Sequence, residues 1–123
     1  MSQKGVLKKT NPELIALVES LRTAGRDQGA PIWRDIAHRL ERPARLWAEV
    51  NVSKLEDVMR DGETAVVPGK VLSAGFINRP VTVAAFRFSG KAREKIMEAG
   101  GKCLTIRELV ESNAKGAKCR IIG

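Results

Sequence analysis

TAVVPGKVL (residues 64–72), SAGFINRP (73–80) and VTVAAFRFSGKAREKIMEAGGKCLTIRELVE (81–111) follow one another without a break, and their reading decides the fold. Val81–Phe88 is the most regular piece. Val81, Val83 and Ala85 alternate onto one face and Ala84, Phe86 and Phe88 onto the other, so both faces are largely apolar. Such a strand belongs inside a layered fold and not at its edge. Ser89 is a suitable N-cap for a helix with Ala92, Ile96 and Ala99 as its apolar stripe, stopped by Gly100-Gly101. Lys102–Leu104 is then extended, and Thr105-x-x-Glu108 forms a capping box with Leu104 and Leu109 as a hydrophobic staple. The order is strand, helix, strand, helix.

Upstream, Asn11-Pro12 starts a helix with Asn as cap and Pro at its first position. Leu14, Leu17, Val18 and Leu21 make its stripe, and Gly25 is read as its end. Pro31 opens a second helix with Ile32, Trp33, Ile36, Ala37 and Leu40 inward, and Pro43 forces it to finish near Arg42. Leu46–Val52 reads as a strand, followed by a Ser53-x-x-Glu56 capping box and a short helix closed at Gly62, with Leu55, Val58 and Met59 inward. Thr64–Val67 and Lys70–Leu72 read as short strands around a Pro68-Gly69 turn, and Ser73–Pro80 as a loop rich in turn formers. VNVSKLEDVM and KCLTIRELVE echo each other, each followed by paired aliphatics, VVPGKVL and GAKCRII. The echo suggests stacked β/α units, with Arg120–Ile122 offering a final strand.

Charge is the strongest functional signal. The chain of 123 residues carries a formal +8, and Lys4, Lys8 and Lys9 at one end with Lys115, Lys118 and Arg120 at the other account for six of it. Three segments follow: a basic arm (1–10), a globular domain (11–114) and a basic C-terminal segment (115–123). From Thr64 to Arg93 there is no acid, yet Lys70, Arg79, Arg87, Lys91 and Arg93 occur. On the second helix Arg34, His38 and Arg42 stand at i, i+4, i+8, flanked by Arg39 and Arg45, with Arg22 and Arg26 at the end of the first helix. That row reads either as a solvated face with an Asp35–Arg39 ion pair or as a phosphate-facing surface, and the excess of Arg favours phosphate. Lys91 and Arg93 sit in the first turn of a helix, where the dipole disfavours cations, so a phosphate partner is the simplest reason for them. Arg87 alternates with two phenylalanines and is placed to snorkel from the strand.

The charge therefore points to a polyanion as partner. Neither basic end carries an amphipathic apolar face, and no apolar run reaches the roughly 20 residues of a membrane span, so no membrane partner is expected. No secretory signal is read, and Cys103 and Cys119 are expected to be reduced thiols of a cytoplasmic protein. Catalysis has little to stand on: His38 is the only histidine, and Pro68-Gly69-Lys70 lacks the rest of a phosphate loop. No cofactor, metal or small-molecule substrate is expected. Tyr is absent, and Phe plus Trp reach 4%, placed in apolar patterns, so the stacking platform of single-strand readers is missing. Gly25–Ala30 is too long for a helix-turn-helix connection. Cationic loops and arms gripping the phosphates of folded RNA remain.

NPELIALVESLRTAGRDQGAPIWRDIAHRL, VNVSKLE, VVPGKVLSAG, VTVAAFRFS, AREKIMEAGGKCLTIREL and the closing RIIG together resemble the archaeal and eukaryotic large-subunit ribosomal protein family called L eighteen-e, related to the bacterial L fifteen family. The similarity runs from Asn11 across the chain. It implies an α/β fold, an irregular superhelix of stacked β-β-α units preceded by two N-terminal helices, and no enzymatic role. It also implies a structural place in the large ribosomal subunit, with large-subunit ribosomal RNA and neighbouring large-subunit proteins as partners, in the cytoplasm. Phe76-Ile77 falls in a loop expected to be polar. The competing reading is a small chromatin-type protein that coats duplex DNA. Co-sedimentation with large subunits supports the first, equal retention on any duplex DNA the second.

Overall fold

The computed structural model describes residues 11–123. Helices α1 (Pro12–Gln28) and α2 (Pro31–Leu40) come first, then a single 3-10 turn at Ala44–Leu46. The rest is β1 (Ala48–Asn51), α3 (Val52–Val58), β2 (Thr64–Leu72), β3 (Thr82–Phe88), α4 (Gly90–Glu98), β4 (Lys102–Thr105), α5 (Ile106–Ser112) and β5 (Cys119–Ile121). The strands form one sheet in the order β1-β2-β3-β4, all pairs parallel. β5 shares an edge of β2 with β1: Thr64–Val66 pair with β5, and Gly69–Leu72 with β1. The class is α/β, as the sequence implied. The hydrogen bonds describe one continuous five-stranded sheet.

Both faces of the sheet are covered. Leu14, Leu17 and Leu21 of α1, Trp33, Ile36 and Leu40 of α2, and Ile106 and Leu109 of α5 pack on Val66 and Ala84. On the other face Leu55 of α3 and Ala92 and Ile96 of α4 pack on Ala65, Val67, Val71, Val83 and Ala85. That is why β3 reads as apolar on both sides: each buried Val or Ile contributes about 1.5–3 kcal/mol only if a layer covers it. The two copies of the echo are the passes β1–α3–β2 and β4–α5–β5.

Several local expectations fail, each for a tertiary reason. Pro68-Gly69 is not a turn: β2 runs unbroken from Thr64 to Leu72. A Cβ at Gly69 would lie 2.1 Å from the Ala48 carbonyl oxygen, so glycine is there to let β1 approach. The β2–β3 register shifts between Val67 and Lys70, and beyond the shift Phe88 packs with Val71, on the side opposite Phe86. α1 does not end at Gly25 but at Gln28, with Gly29 left-handed (φ 60°) as its cap. Gly25 is buried under Arg34, whose Cγ would be 2.6 Å from a Cβ there. Only Gly29 and Ala30 separate α1 from α2, so loop length does not count against a helix-turn-helix. Ser53 caps nothing, because α3 begins at Val52 and leaves Ser53 inside the first turn. Leu46-Trp47 precede the strand, since Pro43 sets a 3-10 turn first.

The caps at Asn11, Ser89 and Thr105 do form. Asn11 Oδ1 accepts from the Glu13 amide at 2.9 Å, Ser89 Oγ from the Ala92 amide at 3.1 Å, and Thr105 and Glu108 make the reciprocal box. No described helix is long and apolar enough to cross a membrane.

Candidate nucleic-acid interface

Lys4, Lys8 and Lys9 lie outside the described residues. Of the other predicted cations, some are held in the fold and the rest gather at the surface. Arg79 is held: its Nη2 donates to the carbonyls of Glu56 and Met59, and its Nε lies 3.7 Å from the Glu56 carboxylate. Arg120 donates to the Val58 carbonyl at 2.8 Å and pairs with Glu63 at 3.5 Å. Arg39 bridges Asp35 at 3.0 Å and the Gly123 carbonyl at 3.2 Å, so the Asp35–Arg39 pair of the blander reading does form. Arg22 is paired with Glu41, and Arg26 sits 3.7 Å from Asp27 with both side chains exposed. Sequence alone could not pair Arg79 with Glu56 or Arg120 with Glu63, because the partners are brought together by the fold.

Two places gather the remainder. The first is the cleft between α1 and α2, lined by Arg22, Arg26, Gly29, Pro31 and Arg34. Arg34 is exposed and has no acidic partner among the described residues, and Gly25 gives its stem a flat bed. His38 shares that side of α2, but Arg42 lies past the helix end at Glu41, so the expected row is two residues long.

The second place is the end of the sheet where β2 and β3 finish. Lys70 and Arg87 are register partners on adjacent strands. Lys91 and Arg93 follow at once in the first turn of α4. Arg87 lies 4.5 Å over the Phe86 ring and 3.0 Å from Glu13, and Phe86 meets Trp47 edge-on at 5.1 Å. Arg93 lies 5.1 Å over Phe88. The aromatic rings thus fix two guanidinium groups as flat plates at the surface, worth about 0.5–1 kcal/mol each at exposed sites. Arg45 stands on the neighbouring 3-10 turn, and Arg107, which sequence reasoning missed, flanks the other side of Phe86. Its only sequence signal is position: the second residue of α5, where the dipole disfavours a cation. Ligands of parallel sheets meet them at the carboxyl ends of the strands, and that is where these cations lie.

Lys115 and Lys118 are exposed in the turn before β5. Lys118 holds a left-handed backbone (φ 59°), where a glycine would be relaxed by about 1–2 kcal/mol.

Among the described residues no group of His, Cys, Asp and Glu is arranged to hold a metal ion. Burial raises the pKa of the Cys103 thiol, with Arg93 opposing, and that of Cys119, with an Asn113 hydrogen bond opposing. One aromatic departs from the sequence reading. Trp33 is fully buried, but Phe76 is 79% exposed.

A profile of the family described as ribosomal protein 60S L18 and 50S L18e matches residues 1–123. The chain belongs to this L18/L18e family. It is similar to the large ribosomal subunit protein eL18 of Methanopyrus kandleri, 54% identical over 118 residues covering 92% of this chain and 93% of the relative. It is likewise similar to the proteins of that name from Archaeoglobus fulgidus, 48% identical over 116 residues (94% and 99% covered), and Methanosphaerula palustris, 49% over 118 residues (96% and 98%).

Proposed function

We propose that the protein is a structural component of the large ribosomal subunit that binds folded ribosomal RNA through Lys and Arg contacts to phosphate. One observation carries this: the family match spans the whole chain, and its relatives bear the name large ribosomal subunit protein. The chain is a structural protein and not an enzyme, and as a ribosomal protein it works in the cytoplasm. Neighbouring large-subunit proteins are its further partners.

The charge arrangement supports a division of labour. Arg34, Lys70, Arg87, Lys91, Arg93 and Arg107 face outward from fixed elements and set register on the RNA. Arg22, Arg26, Arg42, Arg45, Lys115 and Lys118 add to the field, as do Lys4, Lys8 and Lys9 of the N-terminal arm. Arg39, Arg79 and Arg120 hold the fold. The left-handed Lys118 backbone supports a use for that ammonium group, since strain is retained where a side chain is needed. The test is a salt titration of binding to large-subunit ribosomal RNA and to a duplex DNA. Arg34→Ala with Lys70→Ala is expected to flatten the RNA salt slope by roughly 0.7–0.9 per lost phosphate contact. Equal affinity for the duplex DNA, unchanged by the variants, would favour the chromatin-type reading instead.

A further inference from the structure

The link between β2 and β3 is unusually short. Parallel strands are normally joined by a dozen or more residues, mostly a helix, and here residues 73–81 must cross the sheet alone. They do so stretched over α3 and α4, and the flanking elements hold them closely. The Ala74 carbonyl accepts from the Ser53 amide, and the Ala74 amide donates to Asn51 Oδ1 at 3.1 Å. Lys95 Nζ donates to the carbonyls of Ser73 and Gly75 at 2.7 and 2.9 Å. The Asn78 amide donates to Glu56 Oε1 at 2.9 Å, Arg79 reaches the carbonyls at the end of α3, and Ile77 is buried. Gly75 is left-handed (φ 87°), and a Cβ there would stand 2.3 Å from that of Ser53.

At the centre of this tethered loop Phe76 points outward, 79% exposed, the barest of the large hydrophobic side chains described. A lone exposed apolar residue needs no explanation on a mobile loop. On a loop fixed from both sides it is a preset aromatic plate. The shallow cleft beside it is lined by Ile77, Asn78, Lys95, Glu98 and Ala99. The Asn78 side-chain amide has no partner among the described residues, and Glu98 supplies acceptors only. Lys95, fixed on two carbonyls, sets a positive charge beside the ring.

We propose that Phe76 stacks on an unpaired base of ribosomal RNA, with Asn78 and Glu98 facing the base edge and Lys95 the adjoining phosphate. This rests on the reading of the protein as an RNA binder and adds to it a contact that is not electrostatic. An aromatic ring stacks on any base, whereas an amide and a carboxylate discriminate among edges. The loop needs no reordering to bind, so little is lost to entropy.

The test uses the full chain, purified large-subunit ribosomal RNA, and the variants Phe76→Ala, Phe76→Trp and Asn78→Ala. Phe76→Ala should weaken binding by about 5- to 160-fold, the range of one stacked base, with the salt slope unchanged. Phe76→Trp should bind as well as the parent, and Asn78→Ala should lose less than Phe76→Ala. Chemical probing should find a nucleotide protected by the parent and exposed with Phe76→Ala. Parent affinity in Phe76→Ala overturns the stacking contact alone and leaves the phosphate reading intact. Parent affinity for naked RNA but reduced retention on assembled subunits overturns it in favour of a protein pocket for Phe76. Failure of the parent chain itself to bind the RNA overturns both.

Discussion

Replacing Arg79 with alanine separates a fold-holding cation from a phosphate contact. The side chain is 31% exposed and donates to two carbonyls at the end of α3, while its Asp61 partner is fully exposed and adds little. Each charge-assisted bond is worth about 1.5–3 kcal/mol, but the released carbonyls of a half-open site regain water. The expected loss is therefore about 2 kcal/mol, a fall in Tm of roughly 6–10 °C for a domain of this size. The loss should be local before it is global. In hydrogen exchange the Ala74 and Asn78 amides, bonded to Asn51 and Glu56, should be protected in the parent and accelerate in Arg79→Ala more than amides of β3. Arg79→Lys, with one ammonium for two carbonyls and a carboxylate, should fall between. A variant with unchanged Tm and unchanged exchange but weakened RNA binding would refute the structural role and return Arg79 to the phosphate contacts.

Two further outcomes are expected. Gly69→Ala presses a methyl group on the Ala48 backbone, which cannot swing aside as a side chain can, and should cost about 1–3 kcal/mol in a urea titration. Gly90→Ala, with nothing within 4 Å, should be neutral or stabilising, and equal effects at the two sites would refute the close approach of β1. Burial raises the pKa of both thiols, so their protonated forms are favoured in the folded state. The stability they contribute is full below the unfolded pKa and lost as pH rises through the folded value, an alkaline effect. Iodoacetamide should accordingly modify Cys103 and Cys119 several-fold more slowly than a cysteine in a denatured chain at pH 8, and equal rates would count against their burial.

The features legible in the sequence are those a few neighbouring residues determine. Asn11-Pro12, Ser89 and Thr105-x-x-Glu108 cap helices because each satisfies its own first turn. The features misread are decided across the fold. Pro68-Gly69 reads as a turn until β1 lies against Gly69. Gly25 reads as a stop until α2 lies against α1, and Ser53-x-x-Glu56 reads as a box although Glu56 is drawn to Asn78 and Arg79. The same holds for the interface. The cations are visible in the sequence, but which ones are neutralised depends on pairs the fold makes, such as Arg79 with Glu56 and Arg120 with Glu63. Phe76 was visible as an oddity, and only its exposure on a tethered loop turns it into a candidate contact.

The pairing of β5 with β2 bears on synthesis. A nascent chain acquires β1, β2, β3 and β4 in turn, yet the first residues of β2 keep bare amides and carbonyls on one side until Cys119–Ile121 arrive. The Trp33 indole likewise waits for the Ala114 carbonyl, 81 positions later. Any fragment stopping short of Cys119 exposes an apolar strand edge that a second chain can occupy. Long-range parallel pairing of this kind forms slowly, so a polyanion or chaperone met early would shield the growing sheet through its most aggregation-prone interval.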